Sequence, residues 1–210
     1  MSTSARKTKI NARQLAVELV AMIDEAGSVV AAIAYFRAHR RLPHSEFADR
    51  VLPKAASMLI MRHSFADAYA LINHGLLDDP RNAHLLTVRG KLQWKQGDLD
   101  GAQATYESIP THVPARNSLA RLVQERGDIS RAQLLYEETL LMTNENNVIA
   151  LNGLAKILLG QGGPKANARA QELLEHSLEL KWQDNDARDI AQSAGLELDL
   201  PMDAGRTPHI

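Results

Sequence analysis

The sequence predicts an all-α fold, an α-solenoid of about five stacked helix–turn–helix repeats closed by a short C-terminal helix. Three observations carry that expectation. First, the stretch Gly97-Asp98-Leu99-Asp100-Gly101-Ala102-Gln103-Ala104-Thr105-Tyr106 recurs as Gly127-Asp128-Ile129-Ser130-Arg131-Ala132-Gln133-Leu134-Leu135-Tyr136, with fainter copies from Gly27 and from His63. Second, Ser28, Ser64, Asp98 and Asp128 follow one another at intervals of 36, 34 and 30 residues. A period of roughly 34 residues marks stacked helical hairpins, which cannot bury an apolar face singly. Third, no run pairs as β-strands; alanine and leucine are abundant and aromatic residues make up 4% of the 210 residues.

Within the recurring stretch each position has a physical reason. A glycine ends one helix because it takes the left-handed conformation at little cost. The next residue, Ser28, Ser64, Asp98 or Asp128, can accept from the free N–H groups of a new helix. Ser64 has Asp67 three residues on, a variant of the capping box. Offsets of one, four and eight from the cap share a helical face. They are occupied by Val29, Phe65, Leu99 and Ile129; by Ala32, Ala68, Ala102 and Ala132; and by Phe36, Ile72, Tyr106 and Tyr136. The alanines permit close approach of a neighbouring helix.

In chain order, residues 1–10 read as a disordered, basic tail. Helical spacing over 11–26 and 28–41 makes a first hairpin at 13–44. The second repeat is 45–82. Its first helix is expected to start at Pro53, where the missing N–H is harmless, with 46–52 as a separate turn. The third is 83–112, cut short by Pro110, and the fourth is 113–146. The fifth, 147–184, has an expanded hinge, Gly160-Gln161-Gly162-Gly163-Pro164, and a second helix at about 165–181. A capping helix at 185–196 and a flexible tail at 197–210 complete the solenoid, which spans 11–196.

These residues resemble the tetratricopeptide repeat. Gly90 matches the small residue of the family's first helix, Gly97 its hinge, Ala102 its close-contact alanine and Tyr106 its aromatic; Asp79-Pro80-Arg81-Asn82-Ala83 looks like its repeat junction. The resemblance covers about residues 13–184. Gln93 stands where the family has an aromatic, and His63 replaces a hinge glycine. It implies a right-handed superhelix whose first helices line a concave groove for a peptide or helix of another protein. Carried over, the groove positions are Ser57, Ile60 and Met61; His84, Thr87, Lys91, Trp94 and Lys95; Asn117, Arg121, Gln124 and Glu125; and Leu151, Ala155, Leu158 and Leu159. Thr87, Lys91, Trp94, Lys95, Asn117, Arg121, Gln124 and Leu158 form the candidate partner-binding set. Pro53 and Ser57 do not supply the lysine–asparagine clamp with which some members hold a C-terminal carboxylate. The Gly-Asp-Ile wording also resembles half-repeats of RNA-processing factors.

Chemistry is little supported. There is no cysteine, which excludes disulfides, thiolate metal sites and a cysteine nucleophile. Eight histidines are scattered. Glu172, His176 and Glu179 share a helical face, which an ion-pair stripe explains without a metal. Asp184-Asn185-Asp186 lacks the glycine and glutamate of a calcium loop, and the Gly160 stretch lacks the Lys-Ser/Thr of a phosphate loop. No cofactor, metal or catalytic group is expected. No apolar run reaches the ~18–20 residues that span a bilayer. Arg13 and Glu18 are incompatible with a secretory core, so a cytoplasmic location is expected. Charge is uneven: residues 1–62 carry ten Lys and Arg against five Asp and Glu, the remainder fourteen against twenty. The expected function is a non-catalytic protein–protein interaction adaptor or scaffold. RNA binding and structural assembly through the solenoid ends are the alternatives.

Overall fold

The computed structural model describes residues 11–40 and 42–198, and all regular structure among them is helical. The helices are α1 (Ala12–Ala26), α2 (Val29–Arg40), α3 (His44–Glu46), α4 (Leu52–Met61), α5 (Phe65–Asp78), α6 (Ala83–Lys95), α7 (Leu99–Glu107), α8 (Val113–Glu125), α9 (Ile129–Met142), α10 (Val148–Gln161), α11 (Pro164–Leu180) and α12 (Asn185–Ser193). The chain divides into two compact units, residues 1–115 and 116–210. The expected tail at 1–10 and all but two residues of that at 197–210 lie outside the described residues.

The hinges follow from local chemistry. Gly27, Gly97 and Gly127 adopt φ of 59°, 87° and 88°, which glycine reaches without a Cβ penalty. Asp98 Oδ1 accepts from Gly101 N at 2.9 Å, and Asp128 Oδ1 from Arg131 N at 3.0 Å. Ser28 Oγ accepts from Ala31 N at 3.3 Å. His63 takes the glycine conformation at φ 61°. Ser64 is a positional cap only: its side chain makes no capping bond, so the expected capping box does not form.

Three further expectations are corrected. The chain does not start a helix at Pro53 after a separate turn. It is helical from His44 through a π-helical turn, Phe47–Val51, into α4. Leu52 N–H bonds Phe47 O across that turn, and the register change falls immediately before the proline that lacks a donor. The fifth hinge is not five residues: α10 continues through Gly160 and Gln161, and only Gly162 and Gly163 turn, at φ 73° and 92°. The residue after the cap is not uniformly a packing position, since Leu99 and Ile129 are 36% and 40% exposed.

In unit 1, α1 packs on α2 and α4, α4 on α5 and α6, and α6 on α7. Leu19, Phe36, Leu59, Leu71, Leu85 and Leu92 form its core, and the rings of Phe36 and Phe47 stack at 5.6 Å. In unit 2, α10 packs on α9, α11 and α12, burying Leu151, Leu173, Leu174 and Leu178. The repeat alanines Ala68, Ala102 and Ala132 are fully buried. In both units a tyrosine lies on a glycine. A Cβ built on Gly90 falls 2.5 Å from Tyr106 Cε1, and one on Gly153 falls 2.3 Å from Tyr136 Cζ.

Candidate functional site

Each unit carries a groove. That of unit 2 has a volume of about 1080 Å³ and is walled by α8, α10 and α12. From α8 come Arg121, Gln124 and Glu125; from α10, Ile149, Asn152, Lys156 and Leu159; from α12, Asp186, Asp189 and Ile190. Ile149 is 53% exposed, so the wall offers apolar surface between charges of both signs. The base is rigidly held. Asp184 is buried and accepts from Asn152 Nδ2 at 2.6 Å, Lys181 Nζ at 3.0 Å and Ser177 Oγ at 3.3 Å. Burial alone would raise its pKa, but the bonds from Asn152, Lys181 and Ser177 and the Lys181 charge outweigh that and hold it below the ordinary value. Asp184 is therefore a carboxylate joining α10, α11 and α12. Asn152 Oδ1 is buried in this wall with no hydrogen-bond partner. Burial pushes the Tyr136 phenol up to about 12, with Arg121 lowering and Glu125 raising it. It stays protonated at neutral pH and serves packing.

The groove of unit 1 has a volume of about 610 Å³. Four sequence-expected positions line it: Ser57 and Met61 of α4, and His84 and Thr87 of α6. Thr87 Oγ1 donates to Ala83 O at 2.7 Å and lies 2.9 Å from His112 Nδ1. His84 and His112 meet edge-on at 4.8 Å. Burial, and then the neighbouring His84, hold His112 below the ordinary histidine value.

Of the remaining expected residues, Arg121, Gln124, Glu125 and Leu159 line the groove of unit 2. Lys91 and Trp94 are half-buried on α6 and Lys95 is exposed there; none of the three lines the groove of unit 1. Leu158 is half-buried beside the groove-lining Leu159. Asn117 is corrected: it is 4% exposed, and its Nδ2 donates to Asn147 Oδ1 at 3.1 Å, so it fastens α8 to the cap of α10 instead of facing a ligand. Ile60, Leu151 and Ala155 are core.

The error on α10 is one of register. Counting from the cap Asn82, α6 lines its groove with His84, Thr87 and Val88, at offsets two, five and six. Counting from the cap Asn147, the same offsets give Ile149, Asn152 and Gly153, which line the groove of unit 2. Aligning Asn147 with Asn82 would have found them. Lys156 then matches Lys91, and Leu159 matches Trp94.

Among the described residues no cluster of three or more His, Asp or Glu could hold a metal ion, and no helix is long and apolar enough to cross a membrane. No protein-family model and no curated protein sequence matches the chain. Solved structures do. A thermophilic tetratricopeptide repeat protein of Thermus thermophilus superposes with a TM-score of 0.61 at 16% identity, over 88% of this chain and 97% of that one. A tetratricopeptide repeat protein of Parabacteroides merdae gives 0.55 at 15% identity, over 89% and 75%. Yeast Tom70 gives 0.59 at 16% identity, over 88% of this chain and 47% of that one. The fold of this chain is a tetratricopeptide-like, all-α helical-repeat solenoid.

Proposed function

We propose that this protein is a non-catalytic adaptor that holds a segment of another protein against the exposed faces of its first-in-hairpin helices. The observation that carries this reading is the groove of unit 2. It is wide, open to solvent and lined by Arg121 and Lys156, by Asp186 and Asp189, and by the apolar Ile149, Ile190 and Leu159. Mixed charge around apolar surface suits a polypeptide, whose backbone and side chains need both. Of the three titratable groups with shifted pKa values among the described residues, two are structural: Asp184 joins three helices and Tyr136 packs against Gly153. On α6, Thr87, Lys91, Trp94 and Lys95 are the corresponding contact set, and on α8 and α10 Arg121, Gln124 and Leu158.

The test is a pull-down from native lysate, with and without nuclease. Wild type is compared with Arg121→Glu/Lys156→Glu and with Lys91→Glu/Lys95→Glu, each checked for wild-type helicity. A protein retained by wild type, resistant to nuclease and lost with Arg121→Glu/Lys156→Glu supports the adaptor. Retention that vanishes with nuclease, or identical proteins on every bait, overturns it.

A further inference from the structure

The groove of unit 1 differs in charge from that of unit 2. Its cations come from three elements: Arg13 of α1, Arg50 of the π turn and Lys54 of α4. One carboxylate lines it, Asp49, and that oxygen accepts from Asn82 Nδ2 at 2.7 Å. Arg50 pairs with Glu46 at 3.0 Å. Arg13 and Lys54 have no ion-pair partner among the described residues. Apolar Pro53, Met58 and Val88 also line it, with Met61 67% exposed. His84 and His112 line it as well.

The tautomer of His112 follows from its partner. Thr87 Oγ1 lies 2.7 Å from Ala83 O and 2.9 Å from His112 Nδ1. With the hydroxyl donating to Ala83 O it accepts from the ring, and His112 Nε2 is then where the second proton binds.

We propose that the groove of unit 1 binds a short acidic segment of the partner protein, Asp and Glu interspersed with apolar residues, and that its affinity rises as His112 takes up a proton. This rests on the reading of the chain as a protein-binding adaptor. Charge complementarity selects the occupant: three cations stand against Asp49, held by Asn82, and Glu46, paired with Arg50, so Arg13 and Lys54 are left without an ion-pair partner among the described residues, and the apolar lining suits side chains. A nucleic acid would satisfy the charge but not the rings. Among the described residues no Phe, Tyr or Trp lines the groove, and the two imidazoles are turned edge-on to each other, so they offer bases no stacking platform. Arginine, lysine and carboxylate side chains ordinarily hold their charge between about pH 5.5 and 7.5, and histidine is the side-chain type that changes there. Burial and the neighbouring His84 hold His112 low, and an anion seated beside its ring favours the protonated form.

The probe is a capped peptide of alternating Asp/Glu and Leu, fluorescently labelled, with a Lys-for-acid version and a labelled oligouridylate as comparators. Anisotropy is read on the full chain at constant ionic strength. One added charge at ~4 Å in a high-dielectric groove corresponds to about a fivefold gain in affinity between pH 7.5 and 5.5. His112→Gln is expected to abolish that gain, read as the ratio of the variant's own affinities at pH 5.5 and 7.5. Arg13→Gln/Lys54→Gln is expected to weaken binding at every pH and keep the slope. The inference is overturned by pH-independent affinity in wild type, by indifference to Arg13→Gln/Lys54→Gln, or by tighter binding of oligouridylate than of the acidic peptide. It also fails, with the adaptor reading intact, if the peptide does not bind while lysate capture remains sensitive to Arg121→Glu/Lys156→Glu.

Discussion

Two glycines on one helix should respond in opposite directions to the same substitution. Gly153 and Gly160 both lie in α10. At Gly160 an added Cβ meets nothing within 4 Å, whereas at Gly153 it falls 2.3, 2.6 and 2.7 Å from ring atoms of Tyr136. Alanine in place of a helical glycine gains roughly 0.5–1 kcal/mol of backbone entropy at either site. At Gly153 the ring must also yield. Tyr136 is 1% exposed, so it has nowhere to go without moving its neighbours, and overpacking of that kind costs about 1–3 kcal/mol. The entropy term is common to both variants, so Gly153→Ala should be less stable than Gly160→Ala by about 1–3 kcal/mol, with Gly160→Ala slightly above wild type. Denaturant unfolding followed by far-UV circular dichroism measures the difference. In a Tyr136→Leu background the penalty at Gly153 should shrink, a coupling of about 0.5–3 kcal/mol in a double-mutant cycle. Equal stability of the two alanine variants, or strictly additive effects with Tyr136→Leu, would refute the tyrosine-on-glycine packing.

Two other substitutions probe the same framework. Ala132→Leu puts three extra carbons at a fully buried site and should cost about 1–3 kcal/mol in a thermal or chemical melt. Asp184→Ala leaves Asn152 and Ser177 without their buried acceptor, which should cost about 1.5–3 kcal/mol at pH 7. Because the folded pKa of Asp184 is depressed, its ionised form stabilises the fold above the unfolded value of roughly 4, and that contribution is lost as pH falls through the folded value. The gap between wild type and Asp184→Ala, measured by melts at pH 7 and below pH 4, should therefore narrow in acid.

What was legible in the sequence was local. A glycine followed by Asp or Ser is a helix stop and a helix start within two residues, so the hinges at Gly97 and Gly127 could be read directly. The buried alanines and the aromatic four residues later followed from helical periodicity. His63 shows that the repeat geometry persists where the glycine signal is lost, since the flanking helices hold a non-glycine residue at φ 61°. What was missed is non-local or depends on a rare local state. The π turn before Pro53 has no periodic signature. Asn117 reads as a groove amide until Asn147, thirty residues on, takes its Nδ2. Asp184 reads only as part of a run too incomplete for a calcium loop, yet its side chain makes no capping bond and turns to Asn152 and Ser177. In α10 apolar residues occupy more than one face, so hydrophobicity could not set the register; only the cap Asn147 could.

The central claim is that the partner lies along the first helices of the hairpins and not on the second ones. The competing surface is concrete: Leu77 of α5 and Leu141 of α9 are 81% and 77% exposed. A photo-crosslinking amino acid placed singly at Met61, Gln124, Leu77 or Leu141, with irradiation in native lysate, decides between them. The account predicts a discrete crosslinked protein from Met61 and Gln124 and none from Leu77 or Leu141. Crosslinks confined to Leu77 and Leu141 would contradict it and move the binding face to the second helices.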